Sequence, residues 1–145
     1  MNTIASNNPG DGILVQLTGS AVVTGVLSKV TANNNNFGIF VNGGATSGAS
    51  LNVTVADSEA SNNANTGVEA VSLVEHAATA VVASNDVTGL IAVGNAILRV
   101  AHSVVTGNNT GVNTSGGGIL KSFGDNDIYG NTNDNFGVLT TIPTH

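Results

Sequence analysis

Nine carboxylates, three cations and three histidines are the ionisable groups with which this chain could do acid–base or metal chemistry. Glycoside hydrolysis needs two carboxylates facing one another across a cleft, about 5 to 9.5 Å apart. The available acids are Asp11, Asp57, Glu59, Glu69, Glu75, Asp86, Asp125, Asp127 and Asp134. Asp57 and Glu59 share a strand parity, as do Asp125 and Asp127, so either pair can sit close. Neither pair has a partner carboxylate at the matching position of an adjacent repeat. A lyase that removes a sugar's α-proton needs calcium-binding carboxylates and a basic Arg or Lys. The positions of Arg99 and Lys121 differ by 22. At a repeat of that length they stack in one outward column, where Thr24, Thr54 and Ala77 also fall. They make a small cationic spot able to contact a sugar carboxylate, but no acidic cluster aligns beside them for calcium. Stacked like charges are also mildly unfavourable. Solvated surface charges are therefore expected at Arg99 and Lys121, and backbone-capping turn residues at Asp125-Asn126-Asp127. Arg99, Lys121, Asp125 and Asp127 remain the candidates the sequence offers for catalysis.

The other chemistries are poorly served. His145 is the last residue, and His76 and His102 are 26 apart, out of step with 22. A zinc site needs three or four convergent ligands, so no metal is expected. No Gly-x-Ser-x-Gly elbow occurs. Gly43-Gly44 and Gly116-Gly117-Gly118 lack the Lys-Ser or Lys-Thr of a phosphate loop and read as turns. No cofactor is implied.

Composition narrows the classes further. Of 145 residues 41% are hydrophobic, but only 8% are charged and 3% aromatic, with 19 glycines. Abundant Asn, Gly, Thr, Ser, Val and Ala suit short strands joined by tight turns. The net charge of −6, with Lys29, Arg99 and Lys121 as the only cations, argues against nucleic-acid binding, which needs several cations near phosphates. No apolar run approaches the roughly 20 residues of a membrane-spanning helix, and the start, Met1-Asn2-Thr3-Ile4, does not read as a signal peptide. Without cysteine there is no disulfide framework.

A Gly followed by a branched apolar residue recurs at Gly12-Ile13, Gly38-Ile39, Gly67-Val68, Gly89-Leu90, Gly111-Val112 and Gly137-Val138, at intervals of 26, 29, 22, 22 and 26. The two intervals of 22 also superimpose Gly94-Asn95-Ala96-Ile97-Leu98-Arg99 on Gly116-Gly117-Gly118-Ile119-Leu120-Lys121. Each unit reads strand, turn, strand, turn, strand. Leu51, Val53 and Val55 point one way and Asn52 and Thr54 the other. A short strand follows, as at Val104-Val105, and then an Asn-rich turn: Asn33 to Asn36, Asn62-Asn63, Asn85, Asn108-Asn109, Asn131. Three short strands in so short a unit cannot close a sheet locally, so each must pair with its equivalent one coil away, about 4.8 Å along the axis. The expected fold is all-β: one parallel β-helix domain, 1–145, of five to six coils. Asn tolerates the left-handed backbone of a sharp bend, and its amide can bond to the Asn stacked above or below, so an asparagine ladder is expected.

These residues resemble right-handed parallel β-helix proteins of the pectate-lyase-like superfamily, and in particular a group of uncharacterised exported bacterial proteins. The most specific stretch is Gly116-Gly117-Gly118-Ile119-Leu120-Lys121-Ser122-Phe123-Gly124-Asp125-Asn126-Asp127-Ile128-Tyr129-Gly130-Asn131-Thr132-Asn133-Asp134. It is similar to the glycine run, apolar strand, aromatic-Gly-Asp-Asn turn and closing turn that end the helix in that group. The resemblance implies a right-handed helix and an extracellular or periplasmic location. Members usually begin with an export signal and a capping region that this sequence does not display. Related β-helices include lyases, hydrolases, tailspikes and adhesins, so fold alone does not choose an activity.

One outward column stands out. The residue after each landmark pair is Leu14, Phe40, Glu69, Ile91, Asn113 and Leu139, four of six apolar on a nominal solvent face. Leu14, Phe40, Ile91 and Leu139 are thus candidate contacts for a partner, unless a loop such as 45–50 covers them. The first coil also lacks a stopper comparable to Pro143, so self-association is expected. The expected function is a non-catalytic scaffold or binding module for glycan or protein partners, with no nucleic-acid partner and no membrane insertion. The alternative is a polysaccharide lyase or glycoside hydrolase working near Arg99 and Lys121.

Overall fold

The computed structural model describes residues 2–46, 50–72 and 74–143. Their regular elements are all β-strands, stacked in parallel as a solenoid of about six turns. The first coil holds β1 (Thr3–Ile4) and β2 (Asp11–Gly19); the second β3 (Val23–Ser28), β4 (Val30–Thr31) and β5 (Phe37–Thr46). Next come β6 (Leu51–Ser61) with β7 (Thr66–Val71), then β8 (Val74–Ser84) with β9 (Thr88–Val93). The fifth coil is β10 (Ile97–Ala101), β11 (Val104–Thr106) and β12 (Thr110–Ser115). The sixth is β13 (Ile119–Ser122), β14 (Asp127–Ile128) and β15 (Asn133–Phe136), and β16 (Leu139–Thr141) follows. One sheet runs β1-β4-β6-β8-β10-β13-β16, with β3 beside β6 and β11 beside β8 and β14; the second runs β2-β5-β7-β9-β12-β15.

The two sheets enclose one core built by alternation. Leu51, Val53 and Val55 are buried, while Asn52 and Thr54 between them face outward and are half-buried. On the second sheet Ile13, Ile39, Val68, Leu90 and Val112 form one inward column in strict register. Leu98, Leu120 and Leu139 form another on the first. Fully burying such side chains contributes about 1.5–3 kcal/mol each, which a chain so poor in charge and aromatics depends upon.

The first two strands of each expected unit prove to be one strand bent at a corner. β6 and β8 run unbroken through it, whereas β3/β4 and β10/β11 part there. The corner residue is left-handed in each case: Lys29 at φ 58°, Asp57 at 50°, Ala80 at 52° and His102 at 50°. A single left-handed residue turns the chain while leaving the ladder intact on either side. Serine hydroxyls inside the bend take up amides it leaves over. Ser58 accepts from Val30 N–H at 3.1 Å and donates to Ala56 carbonyl at 2.7 Å; Ser103 does the same for Val81 (3.2 Å) and Ala101 (2.8 Å).

The turn into the second sheet carries the expected ladder, as two adjacent columns. The first is left-handed: Asn7, Asn34, Asn62, Asn85, Gly107 and Gly130, with φ between 57° and 71°. The second holds the rungs: Asn8, exposed at the first coil, and then Asn35, Asn63, Asp86, Asn108 and Asn131, which point inward. From Asn35 onward, each side-chain Oδ1 in it accepts the backbone N–H of the residue one coil earlier, at 3.1 Å for Asn35, 3.0 Å for Asn63, 2.7 Å for Asp86, 2.8 Å for Asn108 and 3.0 Å for Asn131. Asn85 therefore makes the bend, and the rung at this level is Asp86.

The ladder also explains the landmark glycines. A Cβ on Gly12, Gly38, Gly67, Gly89 or Gly111 would lie 2.6–2.8 Å from the ladder side chain of the following coil, and 2.6–2.7 Å from a backbone carbonyl oxygen there. Glycine is required for close approach at a turn position where the rungs fill the space. The sixth landmark departs from the expected register. Thr110 pairs with Asn133 and Val112 with Asn135, so Asp134 holds the place of Gly111, and Gly137-Val138 lies beyond β15. With no further rung to admit, Asp134 instead ends the ladder, its Oδ1 accepting Asn131 N–H at 3.1 Å and Nδ2–H at 3.0 Å.

Candidate functional site

The outer face of the second sheet brings side chains of different types together. The column Leu14, Phe40, Glu69, Ile91 and Asn113 stands in register as expected. Its sixth member is Phe136, not Leu139. Leu139 belongs to the first sheet beside Leu120, half-buried against the core, because the Gly137 motif that suggested its place is out of register. Beside this column runs another of Asp11, Phe37, Thr66, Thr88, Thr110 and Asn133, and on its far side lies Gln16, Asn42, Val71, Val93 and Ser115.

The middle of this face is where the types converge. Phe37 and Phe40 flank the buried Gly38-Ile39 pair and both emerge on the outside, with rings stacked at 5.3 Å between centroids and 24° between planes. Leu14 is 48% exposed and Phe136 65%, so apolar surface extends to both ends of the column. Glu69 lies between Phe40 and Ile91. Burial among them raises its carboxyl pKa above the usual range; a hydrogen bond with Thr66 lowers it, and the charge of Asp11 raises it again. The loop expected to cover Phe40 has its centre, 47–49, outside the described residues.

The remaining candidates are dispersed. Arg99 and Lys121 are register partners on β10 and β13, each half-buried and pointing away from the core. Their column continues through Ala77 and Thr54 to Val26, and on the other side to Thr140; Thr24 instead pairs with Asn52. The expected place of Thr24 fails because the coils at this end are longer than those between Gly67 and Gly111. Asp125 and Asp127 diverge. Asp125 Oδ1 accepts the His102 N–H at 3.1 Å and its Oδ2 lies 3.2 Å from His102 Nε2, while Asn126 Oδ1 accepts the Ser103 N–H at 2.9 Å. Together they cover the corner of the preceding coil. Asp127 is exposed on β14, opposite Val104.

Asp57 and Glu59 border a shallow depression of about 440 Å³ that Lys29 and Thr31 also line. Glu59 is engaged there by Asn33 Nδ2–H at 2.9 Å. His76 falls in the register of Val53 and Leu98, apart from the corner held by His102, and His145 lies outside the described residues. Among the described residues no three His, Asp or Glu side chains converge as metal ligands.

Comparison with protein-family models, curated proteins and solved structures gives no match. The chemistry of the face must be read from its own residues.

Sequence reasoning found Leu14, Phe40 and Ile91 by their parity after the landmark glycine. It missed Phe37, which looks like a turn residue because it precedes that glycine, and Phe136, for want of a glycine at Asp134. The influence of Asp11 on Glu69 was also out of reach, since it acts across β5 between strands of the first and third coils.

Proposed function

We propose that this chain is a non-catalytic β-helix module that binds glycan along the outer face of its second sheet. The observation that carries this reading is the stacked Phe37–Phe40 pair on a face that also carries hydroxyls, amides, the carboxylates of Asp11 and Glu69, and further apolar side chains such as Leu14, Ile91 and Phe136. A sugar ring offers C–H bonds on its faces and hydroxyls at its rim. Aromatic faces suit the first, and a few placed polar groups such as Glu69, Asn42, Asn113 and Thr88 suit the second. In-register strands about 4.8 Å apart form a flat, preorganised surface able to lie along an extended polysaccharide. This reading places the chain with right-handed pectate-lyase-like β-helices and at the cell exterior or in the periplasm, where such polymers are met. The outer edge of β2, which pairs with no other strand among the described residues and carries the partly exposed Ile13, Val15 and Leu17, supports self-association as a second property of the same module.

Affinity electrophoresis through gels of neutral and uronate-containing polysaccharides tests the proposal. Retardation by at least one polymer is expected, with Phe40→Ala weakening binding about tenfold, a loss of roughly 1.4 kcal/mol. Free migration in every gel, or retardation of Phe37→Ala and Phe40→Ala equal to that of the natural chain, would refute it.

A hydrolase reading has one observation in its favour. Glu69, its pKa raised by burial, has a second carboxylate, Asp11, two strands away. Asp11 aligns with Thr66, three residues before Glu69, so the two carboxylates are offset along the face as well as across it. Reducing-sugar release that Glu69→Gln abolishes would favour this reading over binding alone. Cleavage lost instead with Arg99→Ala would move the chemistry to the first sheet.

A further inference from the structure

The ladder contains one rung of different chemistry. Asp86 is 5% exposed and stands between Asn63 and Asn108. Its Oδ1 behaves as every other rung's does, accepting Asn63 N–H at 2.7 Å and Asn63 Nδ2–H at 3.0 Å. Its Oδ2 is buried with no hydrogen-bond partner among the described residues.

The neighbouring rung shows what belongs there. Asn108 Nδ2–H donates to the Ala83 carbonyl at 3.1 Å, and this nitrogen lies 2.8 Å from where a Cβ of Gly89 would be. One coil earlier, Ala60 is the register partner of Ala83 and Gly67 takes the place of Gly89. The corresponding point beside Gly67 lies 2.6 Å from Asp86 Oδ2 and 3.1 Å from the Ala60 carbonyl oxygen. Asp86 thus sets an oxygen where the ladder sets an N–H donor, facing a carbonyl that can only accept.

We propose that Asp86 is a proton-binding site within the solenoid: its carboxyl is protonated in the folded chain, and Oδ2–H donates to the Ala60 carbonyl in place of an asparagine amide.

The surroundings agree. Burial raises the Asp86 pKa from 3.8 to about 7, against the lowering effect of the two bonds from Asn63. The side chains stacked on it, Asn63 and Asn108, are neutral. The charged groups of the flanking elements stand elsewhere: Asp57 and Glu59 on β6, Glu69 on β7, Arg99 on β10 and His102 at the corner before β11 occupy outward positions. Glu75 and His76 lie at the opposite end of β8.

The sign follows from linkage. Because the folded-state value exceeds the unfolded one, the contribution is complete below pH 3.8, declines as pH rises towards 7, and is gone above it. The stack would then have a joint in its middle that slackens on deprotonation, while the rungs on either side stay indifferent to pH.

Asp86→Asn installs the missing donor and is the decisive variant. In thermal unfolding from pH 4 to pH 9, the natural chain should lose more stability towards pH 7 than the variant, which keeps only the raised Glu69 carboxyl. At pH 8 the variant should be the more stable, its unfolding constant roughly tenfold or more smaller, and the two should converge near pH 4. A difference between them that does not change with pH, or a variant less stable at pH 8, would overturn the proposal. Titration of the Asp86 carboxyl carbon by NMR in the natural chain gives an answer without a substitution. Ionisation well above 3.8 is expected, and ionisation at or below that value would overturn the proposal too.

Discussion

The ladder turn and the outer face of the second sheet are built on the same six coils, and they use the repeat in opposite ways. At the turn the inward rung is Asn at every level but one, and each rung does the same work for the coil before it. A few positions further on, the outward column reads Leu14, Phe40, Glu69, Ile91, Asn113 and Phe136, with no residue type repeated between neighbours. Side chains locked into a shared ladder cannot vary without leaving a buried polar group unsatisfied, as Asp86 Oδ2 shows. Those that face solvent carry no such obligation, so their variety is available for recognition.

The contrast breaks most sharply at the landmark glycines. Gly89→Ala would push a Cβ to 2.6 Å from Val105 Cγ1 and 2.7 Å from the Gly111 carbonyl oxygen. We expect a loss of about 3 kcal/mol or more, at the severe end for single substitutions. Gly25→Ala meets nothing within 4 Å and should change stability by less than about 0.5 kcal/mol. Urea denaturation of the two variants measures the difference.

Next in size is the core the ladder closes over. Leu98→Ala removes a fully buried side chain from the column shared with Leu120 and should cost about 2–5 kcal/mol. Asn108→Ala follows, at about 2–4 kcal/mol, because it strands the buried Asp86 N–H and the Ala83 carbonyl together. Hydrogen exchange should show the Asp86 amide losing protection first. Smallest is Phe40→Ala on the outer face, expected to cost under about 1 kcal/mol of stability. If that substitution proved as damaging as Leu98→Ala, the face would be structural rather than a binding surface.

How much of this could be read from the sequence depends on how strictly each feature repeats. The equal spacings of 22 were enough to align Arg99 with Lys121 and Leu98 with Leu120, and both pairs are register partners. Coils of other lengths defeated the same reasoning, so that Thr24 was set in a column that belongs to Val26. Leu139 went astray because a glycine followed by valine is common, and the true sixth landmark is Asp134, which needs no glycine where the ladder ends. Asp86 stayed hidden behind Asn85, because a carboxyl can imitate an amide as an acceptor and differs from it only at the atom that should donate. The outer face of the second sheet was legible in part. Phe40 and Ile91 announce themselves by parity, but the approach of Phe37 depends on two successive inward residues between the rings, which strand alternation alone does not give.

Every column described above depends on equivalent segments lying side by side one coil apart. NMR of the isotopically labelled chain measures this directly, through nuclear Overhauser contacts between backbone protons. Parallel stacking predicts contacts joining Leu90 to Val112 and Leu98 to Leu120, each pair separated by one full coil. Contacts that instead join Leu90 and Leu98 to strands folded back within the same coil, as in local hairpins, would contradict the solenoid and every site assigned on it.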